Sequence, residues 1–159
     1  MHFILANDLH EAYIECMEHC DSVELLKRNR IRVTRRKTAI LREIIECGRP
    51  LNAAELHDRV SATVGLDLAT VYRTLGAFVE NRLVREITDD TGTQYYEIAC
   101  RHNPAHPHFK CVRCRRITCL ESLDSEDTAG IFSKVFPHGE ITGIAITVSG
   151  ICRTCGSEE

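Results

Sequence analysis

Apolar residues recur at helical spacing through the first eighty positions and then switch to alternation. Ile14, Met17, Val23, Leu25 and Leu26, interleaved with Glu11, Glu15, Glu18 and Glu24, predict an amphipathic helix over residues 7–28. Thr34 is placed to cap a second helix, in which Ile40, Leu41, Ile44 and Ile45 share a face until Gly48-Arg49-Pro50 stops it. Asn52 begins a third, with Ala53, Leu56, Val60 and Val64 on one side and Gly65 at its end. Asp67 caps a fourth over 68–81, where Leu68, Val71, Leu75, Phe78 and Val79 form the apolar face and Thr70, Arg73, Thr74 and Gly76 the other. Leu83, Arg85 and Ile87 then alternate with their neighbours, Asp90-Thr91-Gly92 makes a turn, and Gln94 to Ile98 return as the second arm of a hairpin. Short helices followed by a β-ribbon are the pattern of a winged helix-turn-helix, with 68–81 free to enter a major groove.

The pattern breaks at Cys100–His108, where Pro104 and Pro107 forbid a helix and suit an extended linker. Beyond it, 108–112 and 116–120 read as short strands, 124–136 as a helix with Ile131, Val135 and Phe136 inward, and 141–148 as a strongly β segment. The expected architecture is α+β. A winged-helix domain spans 1–99, a linker 100–108, and a small α/β domain 109–159. A βαβ piece of about fifty residues buries too little surface to stand alone, so it needs a metal, a partner subunit or both.

Composition narrows the class. Hydrophobic residues at 43% and charged residues at 27% exclude a disordered chain, and no apolar run is long enough to cross a bilayer. His2, Asp8 and Glu11 stand where a signal peptide would be basic and then apolar, so a cytoplasmic protein with no membrane partner is expected. The net charge of −3 conceals an asymmetry. Lys27, Arg28, Arg30, Arg32, Arg35, Arg36, Lys37 and Arg42 follow one another without an intervening acid, whereas Glu121, Asp124, Glu126 and Asp127 cluster further on. The basic stretch suits phosphate contacts, and the competing reading is a solvated helix–loop surface.

Nine Cys and eight His dominate the remaining chemistry. An odd number of thiols cannot pair completely within the chain, and a reducing compartment keeps them free, which leaves metal ligation. Cys111-x-x-Cys114 and Cys152-x-x-Cys155 each put two thiolates on one turn. Together they complete a tetrahedral sulfur site of the structural zinc type, with no open position for catalysis. A redox role for these pairs is the alternative. Cys100, His106 and His108 make a second constellation, because residues two apart in an extended segment face one side. One thiolate with two imidazoles favours zinc over iron or manganese. Its fourth ligand is open among Cys119, Glu86 and Glu97, with His102 and His57 behind them. Cys16, His19 and Cys20 read as a helix face or reactive thiols more readily than as a further metal site. Cys47 reads as a small core residue, and His138 as a turn residue or weak ligand.

Four stretches resemble the ferric uptake regulator superfamily: Arg32-Val33-Thr34-Arg35-Arg36-Lys37-Thr38-Ala39-Ile40-Leu41; Ala69-Thr70-Val71-Tyr72-Arg73-Thr74-Leu75; His106 to Cys114; and Gly150-Ile151-Cys152-Arg153-Thr154-Cys155. The resemblance runs from about residue 22 onward. It implies a homodimeric, metal-responsive transcriptional repressor with an N-terminal winged helix and a C-terminal dimerisation domain. Within that superfamily the chain is most similar to zinc uptake regulators, which place a Cys where Cys100 stands. Several positions depart from the family pattern. Arg49-Pro50-Leu51-Asn52 replaces a stretch that often holds a sensor His, and Arg85 stands where zinc regulators tend to have a ligand. Ala105, Pro107 and Ile144 occupy the places of a third, oxygen-rich site. Arg115 follows the first Cys pair in place of Gly, and Cys119 replaces a carboxylate.

Together these features give the expected function: zinc-dependent repression of metal-uptake genes by a homodimer on double-stranded operator DNA. Two zinc ions per chain are expected, one structural and one regulatory. Tyr72, Arg73 and Thr70 would read the groove, while Arg32, Arg35, Arg36 and Lys37 would set register on phosphates. The strand 141–148 would pair across the twofold axis. The nearest alternative is an iron- or peroxide-responsive regulator of the same superfamily; outside it stand a thiol redox protein and a zinc store. No paired carboxylates, Ser/His/Asp set or Gly-rich phosphate loop is present, so no catalytic residues, small-molecule substrate or enzyme activity are expected.

Overall fold

A computed structural model of the chain describes residues 20–100, 102–121, 134, 136, 138 and 145–157. The chain divides into two compact units, Met1–Asn103 and Pro104–Glu159. Cys100 thus belongs to the first unit and His106 to the second.

The first unit is built from α1 (Ser22–Arg28), α2 (Arg35–Glu46), β1 (Leu51–Asn52), α3 (Ala53–Val64), α4 (Leu68–Glu80), β2 (Val84–Thr88) and β3 (Gln94–Ile98). Local chemistry sets the helix ends. Thr34 Oγ1 accepts from the Lys37 amide, and Asp67 accepts from the Thr70 amide. Asn52 and Glu55 close a reciprocal capping box at the start of α3. Gly65 ends α3 in the left-handed conformation, φ +55°, which costs a glycine little. The amphipathic faces meet in one apolar cluster, where Leu26, Ile40, Leu41, Ile44, Leu56, Leu75, Phe78, Leu83 and Ile98 are essentially inaccessible. Each such side chain contributes about 1.5–3 kcal/mol of burial.

The hairpin pairs Val84 with Ile98 and Thr88 with Gln94, and Asp89 organises its turn by accepting from the Thr91 and Thr93 amides. A third strand, which local periodicity does not announce, completes the wing: β1 pairs Leu51 with Tyr96 and Asn52 with Tyr95, giving the order β1-β3-β2.

The second unit contains β4 (His108–Cys111), β5 (Ile117–Cys119), β6 (Thr147–Gly150) and a single helical turn, α5 (Arg153–Gly156). β4 is central, antiparallel to β5 and parallel to β6. Of the expected strand 141–148, Thr147 and Val148 are strand, in β6. Residues 145–146 are not strand, pairing begins at Thr147, and 141–144 lie outside the described residues. So do the helix expected over 124–136, apart from residues 134 and 136, and residues 7–19 of the helix expected over 7–28, which include Cys16 and His19. In the described part of that stretch residues 20–21 are not helical, because Asp21 caps a helix that starts at Ser22. Among the described residues, no helix is long and apolar enough to cross a membrane.

Candidate metal centres and nucleic-acid interface

Cys111, Cys114, Cys152 and Cys155 are gathered in the second unit with one ligand atom each, all within 4.8 Å of one another. β4 delivers Cys111, and the turn that follows it delivers Cys114, closed by the Arg115 amide donating to the Cys111 carbonyl at 2.9 Å. Arg115 sits at φ +60°, the left-handed region, which costs a residue with a Cβ about 1–2 kcal/mol. A glycine at this step would avoid that strain. Cys152 and Cys155 flank the start and body of α5, and Arg113 Nη1 donates to the Cys155 carbonyl at 2.6 Å, tying the two turns together.

The sulfurs fit an ion. Cys114 Sγ and Cys152 Sγ lie 3.8 Å apart, and a tetrahedral zinc with bonds of about 2.3 Å sets its sulfurs about 3.8 Å apart. The backbone N–H of Cys152, and then those of Cys114 and Arg113, draw the Cys111 thiol down to about 6. Cys155 is pushed up to about 12, foremost by its hydrogen bond with the Cys152 thiol and then by burial. The four sulfurs thus hold protons unevenly, with Cys111 favouring the thiolate and Cys155 the thiol.

The second constellation is split between the units. His108 on β4 stands opposite Cys119 on β5 in the antiparallel register, so their side chains share a face. His106 Nδ1 lies 2.9 Å from the Pro104 carbonyl. That oxygen only accepts, so Nδ1 carries the proton and the Nε2 lone pair is the one available to a metal. The two rings are 4.6 Å apart between centroids. The ligand atoms of His106, His108 and Cys119 lie within 4.8 Å of one another. The Cys100 thiol has other company in the first unit, 3.5 Å from Cys20 Sγ.

On the ribbon, Glu97 is fully buried and receives Arg85 Nη1 at 2.5 Å from its cross-strand partner. Arg85, which cannot ligate a metal, thus neutralises a carboxylate that can. Glu86 faces solvent and accepts from Gln94 Nε2 at 3.0 Å. His57 lies on α3, beside the Asp58 carboxylate at 3.5 Å.

α4 buries Val71, Thr74, Leu75 and Phe78 and leaves Tyr72 half exposed, with Thr70 and Arg73 on its open side and Arg73 Nη2 donating to Thr70 Oγ1 at 2.8 Å. Arg32, Arg35 and Lys37 surround the entry of α2. Arg35 Nη2 donates to the Thr63 carbonyl at 2.8 Å and Arg36 Nη2 to the Gly65 carbonyl at 3.1 Å. Two of the expected phosphate contacts thus also satisfy the C-terminal carbonyls of α3, a favourable place for cations. A guanidinium has five donors, so each keeps others for a ligand.

The model of the ferric uptake regulator family matches residues 28–135. Among characterised proteins, the chain is 24% identical to the ferric uptake regulation protein of Campylobacter jejuni, over 86% of this chain and 87% of that one. It is also 24% identical to the peroxide-responsive repressor PerR of Staphylococcus saprophyticus, over 91% and 97%. Among solved structures, the Helicobacter pylori ferric uptake regulator, described as having three functional metal-binding sites, superposes with a TM-score of 0.69 at 17% identity, covering 94% of this chain and 95% of that one.

Proposed function

Because this chain belongs to the ferric uptake regulator family, and so is a metal-responsive transcriptional regulator and not an enzyme, we propose that the metal it answers to is zinc and that it represses metal-uptake genes as a homodimer on operator DNA. The observation that carries the zinc reading is the donor set of the second unit: two imidazoles and the Cys119 thiol converge, and a sulfur among the donors suits zinc better than iron or manganese. The relatives named for iron and peroxide leave that choice to donor chemistry.

In this reading Cys111, Cys114, Cys152 and Cys155 hold a permanent ion that replaces a core, and His106, His108 and Cys119 hold the exchangeable one. The winged unit contributes the remaining sensor ligand, for which the sequence offers Cys100, Glu97 and Glu86. Once that ligand is engaged, the residues joining the units cease to be a free hinge and the two recognition helices of a dimer keep one spacing. Without it only a fraction of dimers is competent, and affinity falls by that fraction. Tyr72, Arg73 and Thr70 face base edges, and Arg32, Arg35, Arg36 and Lys37 face phosphates, so binding weakens steeply with salt. β6 lies at the edge of its sheet among the described strands, with Val148 47% exposed. Such an edge suits pairing across a twofold axis.

The test uses a duplex selected from a randomised pool by the zinc-loaded protein. Mild chelation should remove the exchangeable zinc and weaken binding at least about tenfold, and zinc should restore it where iron and manganese do not. His108→Ala should reproduce the loss in a chain that remains folded. Equal rescue by iron would move the chain to the iron- or peroxide-responsive branch.

A further inference from the structure

The turn that leaves the ribbon is unusually well fixed for a loop. The Asn103 amide donates to the Cys100 carbonyl at 3.0 Å, and Asn103 Nδ2 donates to the Ile98 carbonyl at 2.7 Å. The Asn103 carbonyl in turn accepts from Arg85 Nη2 at 2.9 Å. Asn103 is buried, and Cys100 and Asn103 bridge as neighbouring antiparallel residues. Cys100 and His102 are therefore held at the first and third positions of a tight turn. Cys20, immediately before the N-cap of α1, arrives from the other end of the same unit. It is 8% exposed and belongs to the apolar cluster, against which Cys100 also packs.

We propose that Cys20, Cys100 and His102 form a metal site within the winged unit, separate from the four-thiol site and from the imidazole pair, for a thiophilic d10 cation such as zinc(II) or copper(I). The three ligand atoms lie within 4.8 Å of one another. Cys20 Sγ is 3.5 Å from Cys100 Sγ and 3.9 Å from His102 Nδ1. On a tetrahedral zinc two sulfurs stand roughly 3.8 Å apart and a sulfur and an imidazole nitrogen roughly 3.6 Å, so each separation is within a few tenths of an ångström of what an ion would set, and the sulfurs lie far beyond the disulfide length of about 2.05 Å. Two thiolates and one imidazole are a soft set. Three protein ligands leave one position for water or an exchanging ligand, as in an accessible rather than a sealed zinc site. The ion would close a loop of eighty residues, from the entrance of α1 to the exit of β3, and so couple metal loading to the stability of the unit that carries α4.

The proposal does not need the zinc reading of the sensor, but it engages Cys100 and leaves the carboxylates of the ribbon as the sensor's remaining ligands. It also raises the expected ion count from two to three per chain. The full-length protein, Cys20→Ser, Cys100→Ser, His102→Ala and His108→Ala are each loaded with zinc under reducing conditions and their bound metal counted. Cobalt(II) replaces zinc in parallel samples, so that thiolate charge-transfer bands report sulfur ligation.

Each of the first three variants should lose about one ion per chain, and the double variant Cys20→Ser/His102→Ala should lose no more than either alone. His108→Ala should lose a different ion, additively with Cys20→Ser. His102 is only partly buried and is not itself part of the apolar cluster, so His102→Ala remains informative if Cys20→Ser proves unstable. Undiminished stoichiometry and unchanged cobalt bands in both His102→Ala and Cys20→Ser would overturn the site, as would a Cys20–Cys100 disulfide in metal-free protein that reductant and zinc together fail to replace. Failure of His108→Ala to lose an ion would overturn the sensor assignment alone.

Discussion

Among the described residues of the first unit, nineteen, drawn mostly from four helices and the sheet, form one contiguous apolar cluster. Among the described residues of the second unit, the buried hydrophobic side chains are Cys111, Ile117 and the ring of Pro107. One unit excludes water with Leu, Ile and Phe; the other gathers thiols and imidazoles. Among the described residues the second unit thus shows candidate ligands rather than apolar core, and under the proposed reading its folding becomes a function of metal supply, since the binding energy of a structural zinc, about 10–16 kcal/mol, is folding energy.

The sharpest way to break that comparison is Cys152→Ser. It removes a proposed ligand whose amide also donates to Cys111 Sγ at 3.4 Å. Amide exchange should rise to near-unfolded rates across β4, β5 and β6 while α2, α3 and α4 stay protected, and a strong chelator should do the same to the unmodified chain. Protection of β4 to β6 without zinc would show that the unit has a sufficient core after all.

Leu56→Ala should act on the other side. Leu56 is fully buried on α3, and deletion of its side chain should cost about 2–5 kcal/mol of first-unit stability in denaturant melts, with the four-thiol zinc retained. Loss of that zinc at the same denaturant concentration would mean that the units unfold as one. A smaller and more local effect is expected from Asn52→Ala, which removes the side-chain half of the capping box at α3. It should lower the same transition by about 1 kcal/mol and leave metal content untouched.

The first unit was legible because its instructions are local. Thr34, Asn52 and Asp67 mark helix starts within three residues of the amides they accept from, Gly65 marks an end, and Asp90-Thr91-Gly92 marks the hairpin turn. What local pattern does not carry is pairing at a distance. β1 is two residues long and exists only because Tyr95 and Tyr96 lie opposite it. The four cysteines were readable as two spaced pairs, and Cys119 as a thiol on a strand beside His108. Only the register places that thiol on the face of His108. Cys100 reads as a companion of the histidines that follow it because spacing in sequence is the available signal, whereas its neighbour within the first unit has none. Its partner at Cys20 is eighty residues away, and a separation of that length has no periodicity to betray it. Arg35 and Arg36 read as free cations for phosphate, since nothing local reveals that the carbonyls of Thr63 and Gly65 lie within their reach.

The parallel pairing of β4 with β6 has a consequence for how the protein is made. Cys152 follows Cys114 by 38 positions, so at about 5–20 residues per second the ribosome supplies the second cysteine pair roughly 2–8 s after the first. For that interval the nascent chain carries a half-site of two thiolates on an unfinished sheet, able to meet oxidants or a mismatched cation before the remaining sulfurs arrive. With zinc as the proposed ion, synthesis rate and the cell's free zinc would decide together how many copies mature, and the scarcity that the regulator is proposed to report would also govern its own supply.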